Sequence, residues 1–453
     1  MTISTGEHYT QAMKRTRIIT ALLLLLALLS ALAACTPGDL GNEEIAFVRD
    51  GNLWTIDPNG ANAFEAVAQS MPVLGYGLSP NHQIFVFRTL DSGFAKTTAG
   101  EHLTIDPITG LTGDVPSALN TVGIDGGTPI PIILSTPTLA RSDAWWSPDG
   151  NRLLYREGAS STLSSPDLVT WVVSQNDQPA GIARKFLPNS FSIPSINADS
   201  SLVIGNSVQG IYTTTLAGTN LTFIQRGELP GHPLPDSLER VLWQPAHQNP
   251  ALLYAISASS VGERGLFGLV LRETNGQTRL LTHCVCTQFA WSPDGNRVLY
   301  STAEDYTVLN IHDGTSFHFT AEPNAVPYWS PDSRALLLDG LHTLTLTRMA
   351  SQQTQVLLSD GSSTALETDI ALSKAVLHPV ENSLWNVDGQ RFVVVTRGRT
   401  QWLGQQLHSG NGLYVITLNR QDEPQAVPAL VDSNAHDTQP GWSYEDPNTS
   451  FLF

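Results

Sequence analysis

Basic residues are scarce in this chain: 24 Lys and Arg stand against 41 Asp and Glu, for a formal net charge of −17. A surface that negative repels phosphate backbones, and no basic stripe with interleaved aromatics offsets it, so nucleic acid is excluded as a partner. The acidity serves solubility instead. Metal and nucleophile signatures are missing too. The twelve histidines are scattered without ligand spacing, and no His-Glu-x-x-His occurs. There is no phosphate-cradling glycine loop. The nearest approach to a nucleophile elbow, Gly205-Asn206-Ser207-Val208-Gln209, fails at its fifth position. Beyond residue 40 no long segment carries a helical period; strand patterns and turns take its place. No cofactor, no metal and no catalytic residue are therefore expected. At 453 residues, 41% of them apolar, the chain still buries a large core.

What is present is a repeated phrase. Trp-Ser-Pro-Asp-Gly stands intact at Trp146–Gly150 and Trp291–Gly295, with altered copies at Trp329-Ser330-Pro331-Asp332-Ser333 and Trp385-Asn386-Val387-Asp388-Gly389. Each precedes an apolar run such as Leu153-Leu154-Tyr155 or Phe392-Val393-Val394-Val395. Pro presets φ in a tight turn, Asp accepts local backbone hydrogen bonds, and Gly takes the left-handed conformation. The phrase reads as a hairpin between two strands. Recurring every 40 to 60 residues or so, it reads as a propeller or array.

Two landmarks give the count. Weaker hairpin phrases at Leu78-Ser79-Pro80-Asn81, Ile196-Asn197-Ala198-Asp199, Trp243-Gln244-Pro245 and Trp442-Ser443 bring the first series to eight. A later alternating strand recurs at Leu53–Asp57, Leu103–Asp106, Trp171–Val173, Ile211-Tyr212, Leu266-Phe267, Val308-Leu309, Leu341–Leu346 and Leu413–Ile416, again eight. The chain opens in mid-repeat at Ile45–Val48 and closes on an orphan first half from Pro440, and the two halves make one complete unit. The expectation is an all-β fold: a single eight-bladed β-propeller over 43–453, closed by pairing of N- and C-terminal strands, which removes exposed edges. Seven blades is the alternative, because the copy at Ile196 lacks Trp and Pro. The Gly-, Pro-, Thr- and Ser-rich stretch 107–139 is expected to be an inserted surface loop.

The N-terminus reads as an address. Lys14, Arg15 and Arg17 precede an uncharged apolar run from Ile18 to Ala34, with Met13 the expected start. The segment closes on Leu32-Ala33-Ala34-Cys35, which resembles a bacterial lipobox. The resemblance implies a signal peptide over 1–34, removed on export, a diacylglycerol on Cys35, and a lipidated tether over 35–42. It places the protein in the cell envelope, outside the cytoplasm and held on a membrane by its acyl chains. An uncleaved transmembrane helix is the other reading.

Trp-Ser-Pro-Asp-Gly followed by an apolar strand resembles the TolB-like propeller repeat, also called PD40 or WD40-like, over almost all of 43–453. The resemblance implies four-stranded antiparallel blades and binding of proteins or small ligands at one face or at the channel mouth. The same repeat accompanies prolyl-oligopeptidase-type hydrolases, which need a separate α/β-hydrolase domain; none is expected here.

Individual residues sort accordingly. Asp149, Asp294, Asp332 and Asp388 are assigned to turns rather than to acid pairs. Six tryptophans hold the repeat position and are expected to pack between blades; Trp145 and Trp402 lie off it, and Trp402 is the candidate for surface binding. Cys284 and Cys286 are expected to pair as a disulfide in an oxidising compartment, the alternatives being a redox or metal role with His283, or free thiols. The expected function is a monomeric, lipid-anchored, non-catalytic scaffold binding a protein or envelope component. The alternatives are an enzyme acting on extracellular glycans or peptides and a solute-sensing or delivery subunit of a transporter.

Overall fold

The hairpin phrase folds as a turn held by its own side chains. Ser147 Oγ donates to Asp149 Oδ1 at 2.6 Å, and the same carboxylate oxygen accepts the backbone N–H of Asn151 at 3.1 Å. Ser147 Oγ in turn accepts the backbone N–H of Arg152 at 2.9 Å, while Gly150 takes φ +69°. Ser292 with Asp294, and Ser330 with Asp332, repeat the arrangement. In the altered copy the Asn386 carboxamide oxygen replaces the serine hydroxyl, accepting from the N–H groups of Gln390 and Arg391 at 3.2 and 2.9 Å. Each turn therefore fixes the register of the two strands it joins.

The structure, a computed structural model, describes residues 43–444 except 69, 106–112, 160–166, 173–183, 188–194, 198, 208–209, 217–218, 226–236, 246–249, 258–266, 285, 287, 303–304, 361–369, 373–383, 397–399, 408–411, 420–421, 425–427 and 435. The expected signal peptide, Cys35 and the tether lie outside the described residues.

Nearly everything described is antiparallel sheet. The first sheet orders Phe64–Val67, Asn52–Ile56, Glu43–Arg49 and Asp437–Tyr444, so the last strand of the described chain pairs with the first. A nine-stranded sheet follows, containing two four-strand meanders. One is Val73–Leu78, Ile84–Leu90, Val115–Gly123 and Gly126–Ile133; the other is Trp145–Trp146, Arg152–Ala159, Asp167–Val172 and Arg184–Leu187. The short strand Leu139–Arg141 bridges them. Three four-stranded sheets come next: Ser195–Ile196 through Thr222–Gln225, Ser237–Trp243 through Thr278–Thr282, and Gln288–Trp291 through Ser316–Thr320. A six-stranded sheet holds Val326–Trp329, Ala335–Asp339, Thr343–Arg348 and Gln353–Ser359, extended by Gln401–Trp402 and Gln405–Gln406. The last sheet is Ile370–Leu372, Arg391–Thr396, Gly412–Thr417 and Ala429–Asp432.

The apolar runs exist because second strands are buried on both faces. Along Glu43–Arg49, Ala46 and Val48 pack with Val73, Leu78, Phe85 and Phe87 of the next meander. Their neighbours Ile45 and Phe47 pack with Trp442 against Val393, Val395, Leu413 and Val415 of the last sheet. Alternate side chains leave a strand on opposite faces, so a strand with two apolar neighbours loses polar alternation. Likewise Val203 faces Trp145 and Leu154 on one side, while Ile204 faces Tyr254 and Val270 on the other.

Three expectations are corrected here. Within the stretch 107–139, the described residues Val115 to Ile133 are not a loop: they form a long hairpin that supplies the third and fourth strands of its meander. Pro129 and Pro131 fall on the outermost strand, where no second neighbour needs their missing N–H. Conversely, Leu103-Thr104-Ile105 is not a strand; it follows a four-residue helix, Thr98–Glu101, whose N-terminus the Thr97 side chain caps. Trp402 is the third correction, described below with the site residues. Among the described residues no helix is long and apolar enough to cross a membrane.

Candidate functional site

Trp402, expected on the surface, is 6% exposed. Its two-residue strand pairs with Leu358, which draws the ring into a cluster with Leu357, Leu384, Trp385 and Leu407. Cys284 and Cys286 are joined as a disulfide inside a cluster with Leu253, Phe289 and Trp291. In that state neither sulfur offers a thiolate to a metal or a redox partner. The hairpin carboxylates are occupied by their turns. At Asp149 burial pushes the carboxyl up, but hydrogen bonds from Ser147 and Asn151 outweigh it and hold the group below the usual carboxylate range. Asp294 behaves in the same way.

Ion pairs lie at both ends of the sheets: Arg391–Glu43 and Arg334–Asp422 at the turn end, and further clusters at the opposite end. In an antiparallel meander the first–second and third–fourth hairpins lie at one end and the second–third hairpin at the other. Three ionic clusters occupy that second end, and all join residues far apart in sequence. In the first sheet Arg49 Nε reaches Asp437 at 2.6 Å and its terminal nitrogen reaches Asp432 at 2.5 Å. His436 Nδ1 lies 2.5 Å from Asp50 beside them.

The second cluster locks the two meanders of the nine-stranded sheet together. Arg88, 1% exposed, reaches Asp143 at 3.0 Å and donates to the carbonyls of Arg141 and Gly113 at 2.8 and 3.0 Å. Arg141, 3% exposed, reaches Glu157 at 2.7 Å and donates to the carbonyl of Ser117. Two buried guanidiniums are tolerated here because each is paired with a carboxylate and donates to backbone carbonyls.

The third cluster, on the six-stranded sheet, is the best candidate for chemistry. Glu322 accepts the N–H groups of His342 and Thr343, both at 2.9 Å, and the Thr343 hydroxyl at 2.9 Å. His342 Nδ1 lies 2.6 Å from Asp360, which is almost fully buried. Asp339 ends the preceding strand, and burial, reinforced by the nearby Glu322 charge, pushes its carboxyl up to about 7. A carboxyl so tuned exchanges protons near neutrality. Gly340 leaves room for Glu322: a Cβ there would meet its Oε2 at 2.3 Å. None of these residues has a local motif, so sequence reading missed them; only strand-end position linked them.

Among the described residues no three His, Cys, Asp or Glu side chains gather in a metal-holding arrangement. A groove of about 160 Å³, lined by Arg297, Asn310, Phe317 and Met349 among others, lies at the turn end of two sheets. It falls below the range of roughly 300 to 1,000 Å³ typical of small-molecule sites.

No protein-family model matches the chain, and no curated protein sequence matches it. Among solved structures it is similar to a eukaryotic initiation factor at 12% identity, covering 89% of this chain and 98% of that one, with a TM-score of 0.47. An oligogalacturonate lyase in complex with manganese aligns at 11% identity over 84% of this chain and 98% of that one, TM-score 0.46. TolB from Acinetobacter baumannii aligns at 14% identity over 67% and 74%, TM-score 0.34. Likenesses at that level carry no weight for activity, and the functional reading rests on the chain's own sheets and side chains.

Proposed function

We propose that this chain is an eight-bladed TolB-like β-propeller, lipid-anchored outside the cytoplasm through Cys35, serving as a non-catalytic scaffold for a protein or envelope component. The carrying observation is the apolar cluster of Ile45, Phe47 and Trp442 with Val393, Val395, Leu413 and Val415, which joins the first sheet to the last. Seven further clusters each join one four-strand meander to the next along the chain. Eight such junctions among eight meanders favour eight blades over seven; the copy at Ile196, lacking Trp and Pro, still has its own four strands. A closed ring without free inner edges suits a rigid platform whose loops bind. Affinity capture from detergent-solubilised envelopes is expected to recover one recurring partner; repeated capture of none refutes the scaffold.

A second reading has one observation in its favour. Asp339, beside Glu322 and near the His342–Asp360 pair, is a carboxyl poised to act as an acid or base in hydrolysis or elimination on a glycan or peptide. Turnover on a panel of such substrates, abolished by Asp339→Asn, distinguishes an enzyme from a scaffold.

A further inference from the structure

The point at which the chain enters its first strand bears on how the molecule is held. Glu43 opens the strand Glu43–Arg49 and pairs in register with Tyr444, where the strand Asp437–Tyr444 ends. Its carboxylate accepts the Asn386 side-chain N–H at 3.1 Å and pairs with Arg391. Asn386 is the second residue of a hairpin turn, and Arg391 lies just past that turn. Both ends of the described chain therefore sit at the turn end of the sheets. The Arg49, Asp339 and Arg88 clusters lie at the other end.

Eight peptide steps separate Cys35 from Glu43. Even fully extended they span no more than about 27 Å, at about 3.4 Å per residue. A lipid on Cys35 holds Glu43 within that distance of the bilayer surface. The turn end also carries carboxylates such as Asp149 and Asp294 that their turns keep ionised.

We infer that the end of the sheets carrying the Ser-Pro-Asp turns faces the membrane, and that the second–third-strand hairpins around Arg49 and His342 face away from it. This rests on the lipid anchor proposed above, so the test separates the two.

The full-length chain, purified from membranes with its anchor, is reconstituted into phosphatidylcholine vesicles containing an acceptor-labelled lipid. A donor dye is attached to Val387→Cys at the turn end or to Leu341→Cys at the opposite end; both positions are exposed. Asn81→Cys and Asp305→Cys repeat the comparison on other sheets, guarding against one misfolded variant. Strands about 20 Å long separate the ends, so the turn-end dyes are expected to transfer to lipid at least roughly twofold more strongly. Mass spectrometry of the N-terminal peptide reports acylation in the same sample. Acylated protein with equal or reversed transfer overturns the orientation while the anchor stands. Protein with no acyl group on Cys35 overturns the anchor and the orientation with it.

Discussion

Arg49 and Asp437, separated by 388 positions in the chain, are joined by two hydrogen bonds of 2.6 and 2.9 Å. Asp437 is fully buried, and the guanidinium stacks over the rings of Phe47 and Trp54 at 4.9 and 5.2 Å. Burial outweighs the pairing and leaves the Asp437 carboxyl above its ordinary range. The pair thus ties the first strand to the last at the cost of desolvating a carboxylate.

Removing one partner of such a pair strands a buried charge. Arg49→Ala is expected to lower unfolding free energy by about 3 to 5 kcal/mol in urea titrations. The double variant Arg49→Ala/Asp437→Ala should recover part of that loss, since no unpaired charge remains. Strictly additive losses would mean the pair is not coupled.

The hairpin glycines separate two physical effects. Gly150 and Gly389 share nearly the same φ, +69° and +70°. A Cβ at Gly150 would meet Pro80 at an ordinary 3.7 Å, whereas at Gly389 it would press on the Asp332 carboxylate at 3.1 Å. Gly150→Ala should cost about 1 to 2 kcal/mol, the left-handed backbone penalty alone. Gly389→Ala should cost measurably more in the same thermal melts, and equal losses would show that the packing difference is not real.

Trp402 is expected to act through the core. Trp402→Ala should destabilise the fold by about 3 to 5 kcal/mol, as loss of a buried indole does. Unchanged stability with lost partner binding would restore it to the surface.

Asp339 sets a pH dependence. Its folded pKa, about 7, lies above the ordinary value of 3.8, so the native state holds a proton that the unfolded chain has released. Stability from this group is present at low pH and declines as pH rises from about 4 to about 7. Wild type minus Asp339→Asn should show that decline in melting temperature, and a difference that stays flat or rises across this window contradicts the assignment.

Much of the frame was readable in the chain itself, because its turns are local. Ser147, Asp149 and Gly150 contact one another within a few positions, so their spacing carries the hairpin directly. The strand Gly126–Ile133 is hidden in the sequence because its prolines suggest a loop, and nothing local says that an outer edge tolerates them. The burial of Trp402 is hidden in the sequence because it depends on Leu358, on a different sheet strand. The ionic clusters were illegible for the same reason: Arg88 with Asp143, or Glu322 with His342, meet only once strands are stacked. Local chemistry is visible in order along the chain, and chemistry between strands is not.

Hydrogen exchange on the two terminal strands tests the ring most directly. The amides of Glu43–Arg49 and Asp437–Tyr444 pair with each other, and closure requires them to open only with the whole sheet array. The two segments are predicted to exchange together, with protection matching that of Ala335–Asp339 in the six-stranded sheet. Rapid exchange of Asp437–Tyr444 while Ala335–Asp339 stays protected would mean the circle is open.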